Sequence, residues 1–301
     1  MNQYPSGQST GQRRGGLRLW VLLLFAGYAA WYWFSNRSID PLTGQAVVID
    51  KSISPEQEKS LGLQAYQQVL QQEKPLSADA EASKQVRAIA ERLIGKIPQV
   101  TDSLAAEHHL QASHIEKSFD WAVTVLQSDQ VNAFCLPGGK IAVYTGLLPV
   151  AQNADAMAVV MGHEIAHALL RHGAQRMTRG KLEQLGQMAG AASGMDSGTL
   201  QTVMSAYGYG SALPYARSQE TQADELGLML AASACFDPQQ AIPLWQRMDQ
   251  SSGGKAPSEF ASTHPSAGTR IHQLEALMPK AEAYKAKLCG GTQAASASGM
   301  H

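Results

Sequence analysis

The chain has 301 residues, a formal net charge of -1 and 16% charged residues, so no excess of basic side chains exists to grip a phosphate backbone, and nucleic acid is excluded as a partner. A hydrophobic content of 44% suffices for one sizeable core. The three cysteines, Cys135, Cys235 and Cys289, are too few for a disulfide scaffold and contain no C-x-x-C pair; in an oxidising compartment Cys235 and Cys289 are a candidate disulfide that spacing alone does not decide.

Residues 1–18 are polar and rich in Gly, Ser and Gln, and read as a disordered tail. Residues 19–36, LWVLLLFAGYAAWYWFSN, carry no charge between Arg18 and Arg37 and would span about 27 Å as a helix. Arg13, Arg14 and Arg18 precede the run and Trp31, Tyr32 and Trp33 close it, which predicts a single-pass anchor with its amino terminus inside. The rest of the chain is then expected in the periplasm of a Gram-negative bacterium, tethered to the inner membrane. A cleaved signal peptide is the competing reading, with Gly27 and Ala29 as small residues near a cleavage site.

The main domain is expected over 46–288. A short strand at 46–49 precedes a helix opened by Ser54 as N-cap and Pro55 at its first position, and a second helix covers about 79–97. WAVTVL and KIAVYTG, within 121–148 and separated by turn formers, predict a small antiparallel meander. Helix resumes over 155–179. A Gly/Ala/Ser/Met-rich stretch at 186–211 reads as a loosely packed helical hairpin in preference to a mobile flap. Helices follow over 214–233, 238–250 and 266–287, the last with a candidate break at Pro279, and 289–301 reads as a disordered tail. Strands followed by helices give an α+β, mainly helical domain with a small sheet.

The chemistry concentrates in VVMGHEIAHALLRH, where a helix places His163 and His167 one turn apart on one face, so that both imidazoles can share a metal. Zinc suits such nitrogens, and a catalytic site keeps one position open for water. Glu164 neighbours the first ligand but points elsewhere, as a general base for that water must. Two histidines require a third ligand, and Glu220 in RSQETQADELG supplies it from a later helix; Asp224, four residues on, accepts the free N–H of a ligating imidazole, His163 by preference. The bland alternative for both acids is a solvated helix face. An edge strand, either 132–135 or 141–144, would bind an extended peptide through its backbone, with Asn132 as a substrate-orienting residue. His108, His109, His114, His172, His272 and His301 lack a ligand constellation and read as surface residues.

HEIAH, then RSQETQAD, then STHP with a later arginine resemble the HtpX/BepA-type membrane-associated zinc metallopeptidases, as do SPEQEKSLGLQAY and NAFCLPGGKIAVYTGLL, so that the likeness extends over most of 52–278. The resemblance implies a minigluzincin fold, one zinc per chain held by His163, His167 and Glu220, and Glu164 as base. It also implies that His264 donates to an oxyanion or binds zinc in a resting state, and that Arg270 orients a substrate carbonyl or pairs with a carboxylate. The function implied is endopeptidase action on misfolded or misassembled membrane and periplasmic proteins in envelope quality control; the alternative is an envelope chaperone or assembly factor that cleaves little. Oligomeric state is not legible.

Overall fold

A computed structural model describes residues 18–207, 211–251 and 270–289. Helix α1 (Leu19–Asn36) leads into a two-stranded hairpin of β1 (Arg37–Ile39) and β2 (Ala46–Val48). Helix α2 (Pro55–Gln72) starts in a capping box: Ser54 Oγ accepts from the Gln57 backbone N–H at 3.3 Å, and the Gln57 side chain accepts from the Ser54 N–H at 3.1 Å. Strand β3 (Lys74–Pro75) and helix α3 (Glu81–Glu107) follow. Helix α3 continues well past the expected end near 97, with Pro98 inside it. Its buried stripe of Val86, Ile89, Ala90, Leu93, Ile97, Val100 and Leu104 explains why, since each such side chain gains about 1.5–3 kcal/mol on burial against a proline cost of about 3 kcal/mol.

The strands β4 (Ala122–Gln127), β5 (Ala133–Leu136) and β6 (Lys140–Tyr144) join β3 in a sheet of order β3-β4-β6-β5. This corrects the expected antiparallel meander: β4 pairs with β6 in parallel, and only β5–β6 and β3–β4 are antiparallel. The reason is burial. KIAVY is buried at all of its residues and so takes an inner position, while β5 turns back along it through Gly138 and Gly139, whose φ of 81° and 84° a side chain would disfavour. Consequently β5 forms one edge of the sheet.

A short helix α4 (Leu148–Ala151) precedes α5 (Ala154–Leu169), capped by Asn153 Oδ1, which accepts from the Ala156 N–H at 2.8 Å. The single helix expected over 155–179 is in fact two. Arg171 has φ 54°, and α6 (His172–Ala192) begins after it; the Arg171 guanidinium donates to the buried Glu58 of α2 and to the Ile53 carbonyl, which holds the turn. The end of α6 and α7 (Ser197–Tyr207) form a helical hairpin. Helix α8 (Leu213–Ser233) packs on α5, α9 (Ala241–Ser251) follows a 3-10 turn, and α10 (Arg270–Cys289) runs unbroken through Pro279. Cys235 and Cys289 form a disulfide that ties the end of α10 to the turn after α8, and Cys135 is free and buried in β5.

The segment 19–36 is a helix with the expected bounds, and no helix among the described residues is long and apolar enough to cross a membrane. Polar tips and an amide punctuate the run. Tyr32 donates to Asp50 Oδ2 at 2.7 Å, Lys181 of α6 donates to the same oxygen at 2.5 Å, and Asn36 is buried, so α1 lies docked along α6. Its outer face leaves Leu19, Trp20, Leu23, Leu24, Trp31 and Phe34 exposed.

Candidate metal centre

Helices α5 and α8 approach so closely that a Cβ added to Gly162 would lie 2.7 Å from the Gly227 carbonyl oxygen, and one added to Gly227 would lie 2.6 Å from the His163 nitrogen. This crossing carries Glu220, about two turns earlier on α8, to the face of α5 that bears the two histidines. His163 Nε2 and His167 Nε2 are 3.1 Å apart, Glu220 Oε2 is 3.3 Å from the first and Glu220 Oε1 is 3.4 Å from the second. An ion held tetrahedrally at 2.0–2.1 Å spaces its ligand atoms by about 3.3 Å, so the donor set has the size zinc requires. All three side chains are buried.

The outer partners fix which nitrogens face inward. Asp224 Oδ1 is 2.9 Å from His163 Nδ1 and accepts from that ring. Burial alone would raise the Asp224 pKa, but Arg270 and His163 hold it below the usual carboxylate range. For His163 burial disfavours the charged ring, yet Asp224 and Glu220 outweigh it and raise the pKa to about 9, which marks a place built to hold positive charge.

Arg270, the first residue of α10 and itself buried, donates through Nη2 to Asp224 Oδ1 at 2.6 Å, while its Nη1 lies 3.7 Å from Glu220 Oε2. Its guanidinium carbon sits 3.4 Å from the centre of the Trp245 ring. Of the two roles implied for Arg270, the structure displays pairing with a carboxylate.

Glu164 lies on α5 beside the histidines and lines a cleft of about 230 Å³ together with His167, Arg171, Arg176 and the β5 residues Phe134, Cys135 and Leu136. Strand β5 is thus both at the sheet edge and at the rim of the cleft. The alternative edge, 141–144, is corrected, because β6 lies between β4 and β5. Asn132, just before β5, turns its Oδ1 to the Ala133 N–H at 2.9 Å, and its backbone carbonyl accepts from the Tyr144 N–H at 3.0 Å. His264 lies outside the described residues.

His172 is a second correction: it is fully buried, with Nδ1 2.8 Å from His167 Nδ1 and Nε2 3.1 Å from Gln222 Oε1. Burial drives its pKa down to about 3, so its ring is neutral. The sequence signal was present but misphased. On one continuous helix, five residues past His167 is about 140° around the axis, and only the turn at Arg171 brings the ring back.

A family profile described as peptidase family M48 matches residues 94–278. The mitochondrial metalloendopeptidase OMA1 of Schizosaccharomyces pombe is 42% identical over 164 residues, covering 54% of this chain and 48% of that protein. The mitochondrial metalloendopeptidase OMA1 of Saccharomyces cerevisiae is 30% identical over 295 residues, covering 90% of this chain and 78% of that protein. The beta-barrel assembly-enhancing protease of Escherichia coli is 25% identical over 253 residues, covering 78% of this chain and 46% of that protein. The chain therefore spans about half the length of the first and third of these relatives. The likeness to mitochondrial enzymes overturns the expected placement in a bacterial inner membrane with a periplasmic catalytic domain, and it leaves the HtpX/BepA-type resemblance standing only at the level of the wider family.

Proposed function

The chain belongs to peptidase family M48, and from that premise we propose that it is a zinc-dependent endopeptidase in which His163, His167 and Glu220 hold one zinc ion and Glu164 is the general base. The observation that carries this reading is the buried triangle of His163 Nε2, His167 Nε2 and Glu220 oxygens with edges of 3.1, 3.3 and 3.4 Å. When bound, zinc supplies Lewis-acid activation of water and of the scissile carbonyl. Glu164 takes the proton of the attacking water and returns it to the leaving amine nitrogen. Asp224, braced by Arg270, keeps the His163 proton on Nδ1 and leaves Nε2 for the metal.

The substrate is an extended segment of a misfolded or misassembled protein, seated against the outer edge of β5. Backbone pairing along an edge strand tolerates varied side chains, which suits quality control of unfolded proteins. In this reading Asn132 positions the segment at the start of β5, and His264 donates to the developing oxyanion. Purified protein is expected to contain one zinc per chain and to cut a denatured test protein. A zinc chelator should stop the cutting, and stoichiometric zinc should restore it; turnover that survives complete metal removal would refute the reading.

The exposed apolar face of α1 supports attachment to a lipid surface. Leu19, Trp20, Leu23, Leu24, Trp31 and Phe34 on one short helix, with Arg18 and Arg37 at its ends, fit a helix lying at the headgroup boundary. The full chain is expected to float with liposomes, and a variant with Trp20, Leu23 and Leu24 changed to Ser is expected to remain at the bottom of the gradient. Equal flotation of the two proteins rules this face out.

A further inference from the structure

We propose that His172 is the positioning residue for His167, closing a directed chain of hydrogen bonds that runs from the surface hairpin to the metal ligand. The inference rests on the zinc reading given above, and it concerns the ligand that Asp224 does not touch. Among the hydrogen bonds of the described residues, His163 has a carboxylate on its Nδ1, whereas His167 has a second imidazole there.

The direction of the chain is forced from the metal end. His167 Nε2 faces Glu220 and His163, so it must present a lone pair to the ion, which places the His167 proton on Nδ1. His172 Nδ1, at 2.8 Å, must then accept, and its own proton sits on Nε2. That N–H donates to Gln222 Oε1 at 3.1 Å, and the Gln222 amide is held with its oxygen toward the ring because its Nε2 donates to Gln45 Oε1 at 2.8 Å. Gln45 lies at the foot of β2, in the loop of the hairpin that follows α1. Every link has a donor on one side and an acceptor on the other. If His172 held its proton on Nδ1 instead, two N–H groups would oppose each other, or His167 would carry its proton on the nitrogen that the metal needs.

The turn at Arg171 exists at a conformational cost that this arrangement rationalises. Its left-handed φ of 54° ends α5 and reverses the phase of the next residue, so that the first side chain of α6 reaches back to the ligand two positions before the end of α5.

The test separates a hydrogen-bonding role from simple filling of space, and both from failure of the zinc reading. Zinc affinity is measured by competition with a chromophoric chelator for wild type, His172→Phe and His172→Asn, alongside thermal unfolding of each metal-free protein. Phe fills the volume but offers no acceptor; Asn leaves volume empty but carries Oδ1 near the place of Nδ1. His172→Phe is expected to bind zinc about 10- to 100-fold more weakly, as loss of an outer partner of a ligating histidine does. His172→Asn is expected to stay within a few-fold of wild type, even though it unfolds at a lower temperature in the metal-free state. The reverse order, with Phe close to wild type and Asn impaired, or equal affinity of all three proteins, overturns the proposal. A wild-type chain that binds no zinc overturns instead the reading on which the proposal rests.

Discussion

Glu164→Gln is expected to keep one zinc per chain while lowering kcat/KM on an unfolded substrate by about 100- to 10,000-fold, the range that a positioned general base contributes. Glutamine has the shape of glutamate and keeps an acceptor oxygen, but it does not take up a proton at neutral pH. The substitution leaves the three proposed ligands and the Asp224–Arg270 pair in place, since Glu164 lines the cleft beside β5 and is not one of the three side chains grouped around the donor triangle. Metal analysis and steady-state kinetics on the same preparation therefore decide the matter. Unchanged zinc with lost turnover assigns the proton transfer to Glu164, and undiminished turnover removes it from the mechanism.

The complementary change is Glu220→Ala, which should abolish stoichiometric zinc binding at neutral pH. Two imidazoles remain, but the loss of a ligand is expected to exceed the roughly 100-fold that loss of an outer partner costs. The fold has reason to survive. Arg270 keeps its 2.6 Å contact to Asp224, and the α5–α8 crossing is a backbone contact that the substitution does not reach. Chelator competition reads the affinity, and the far-ultraviolet spectrum of the metal-free variant reads the fold. Retained affinity would mean that another donor completes the site.

The parts of the centre written in local periodicity were legible before any coordinates. His163 and His167 lie one turn apart, and Glu220 and Asp224 lie one turn apart, so each pair shares a face whatever else the chain does. That the two faces meet depends on Gly162 and Gly227, whose meaning appears only when the helices cross. Pairing between strands is likewise not a local property: β4 and β6 were both readable as strands, but their parallel contact depends on β6 being covered on both faces. Helix boundaries failed where a tertiary contact outweighed a local preference. Pro98 did not end α3, because the buried stripe continues through it, and Arg171, an ordinary helix former, did end α5, because Glu58 and the Ile53 carbonyl capture its guanidinium. His172 was misplaced for that reason alone. The Cys235–Cys289 bridge closes a separation of 54 residues, which no spacing rule predicts.

The bare contact between Gly162 and Gly227 has a consequence for how such a protein can diverge. The gauge of the metal cradle is a backbone dimension, set where two main chains touch, to which the side chains packed elsewhere between the same two helices conform. Residues there are free to exchange bulk with one another over time while the cradle keeps its width, provided that neither glycine acquires a methyl group. A single wedge at the crossing would open the cradle from behind, without altering any atom that meets metal or substrate.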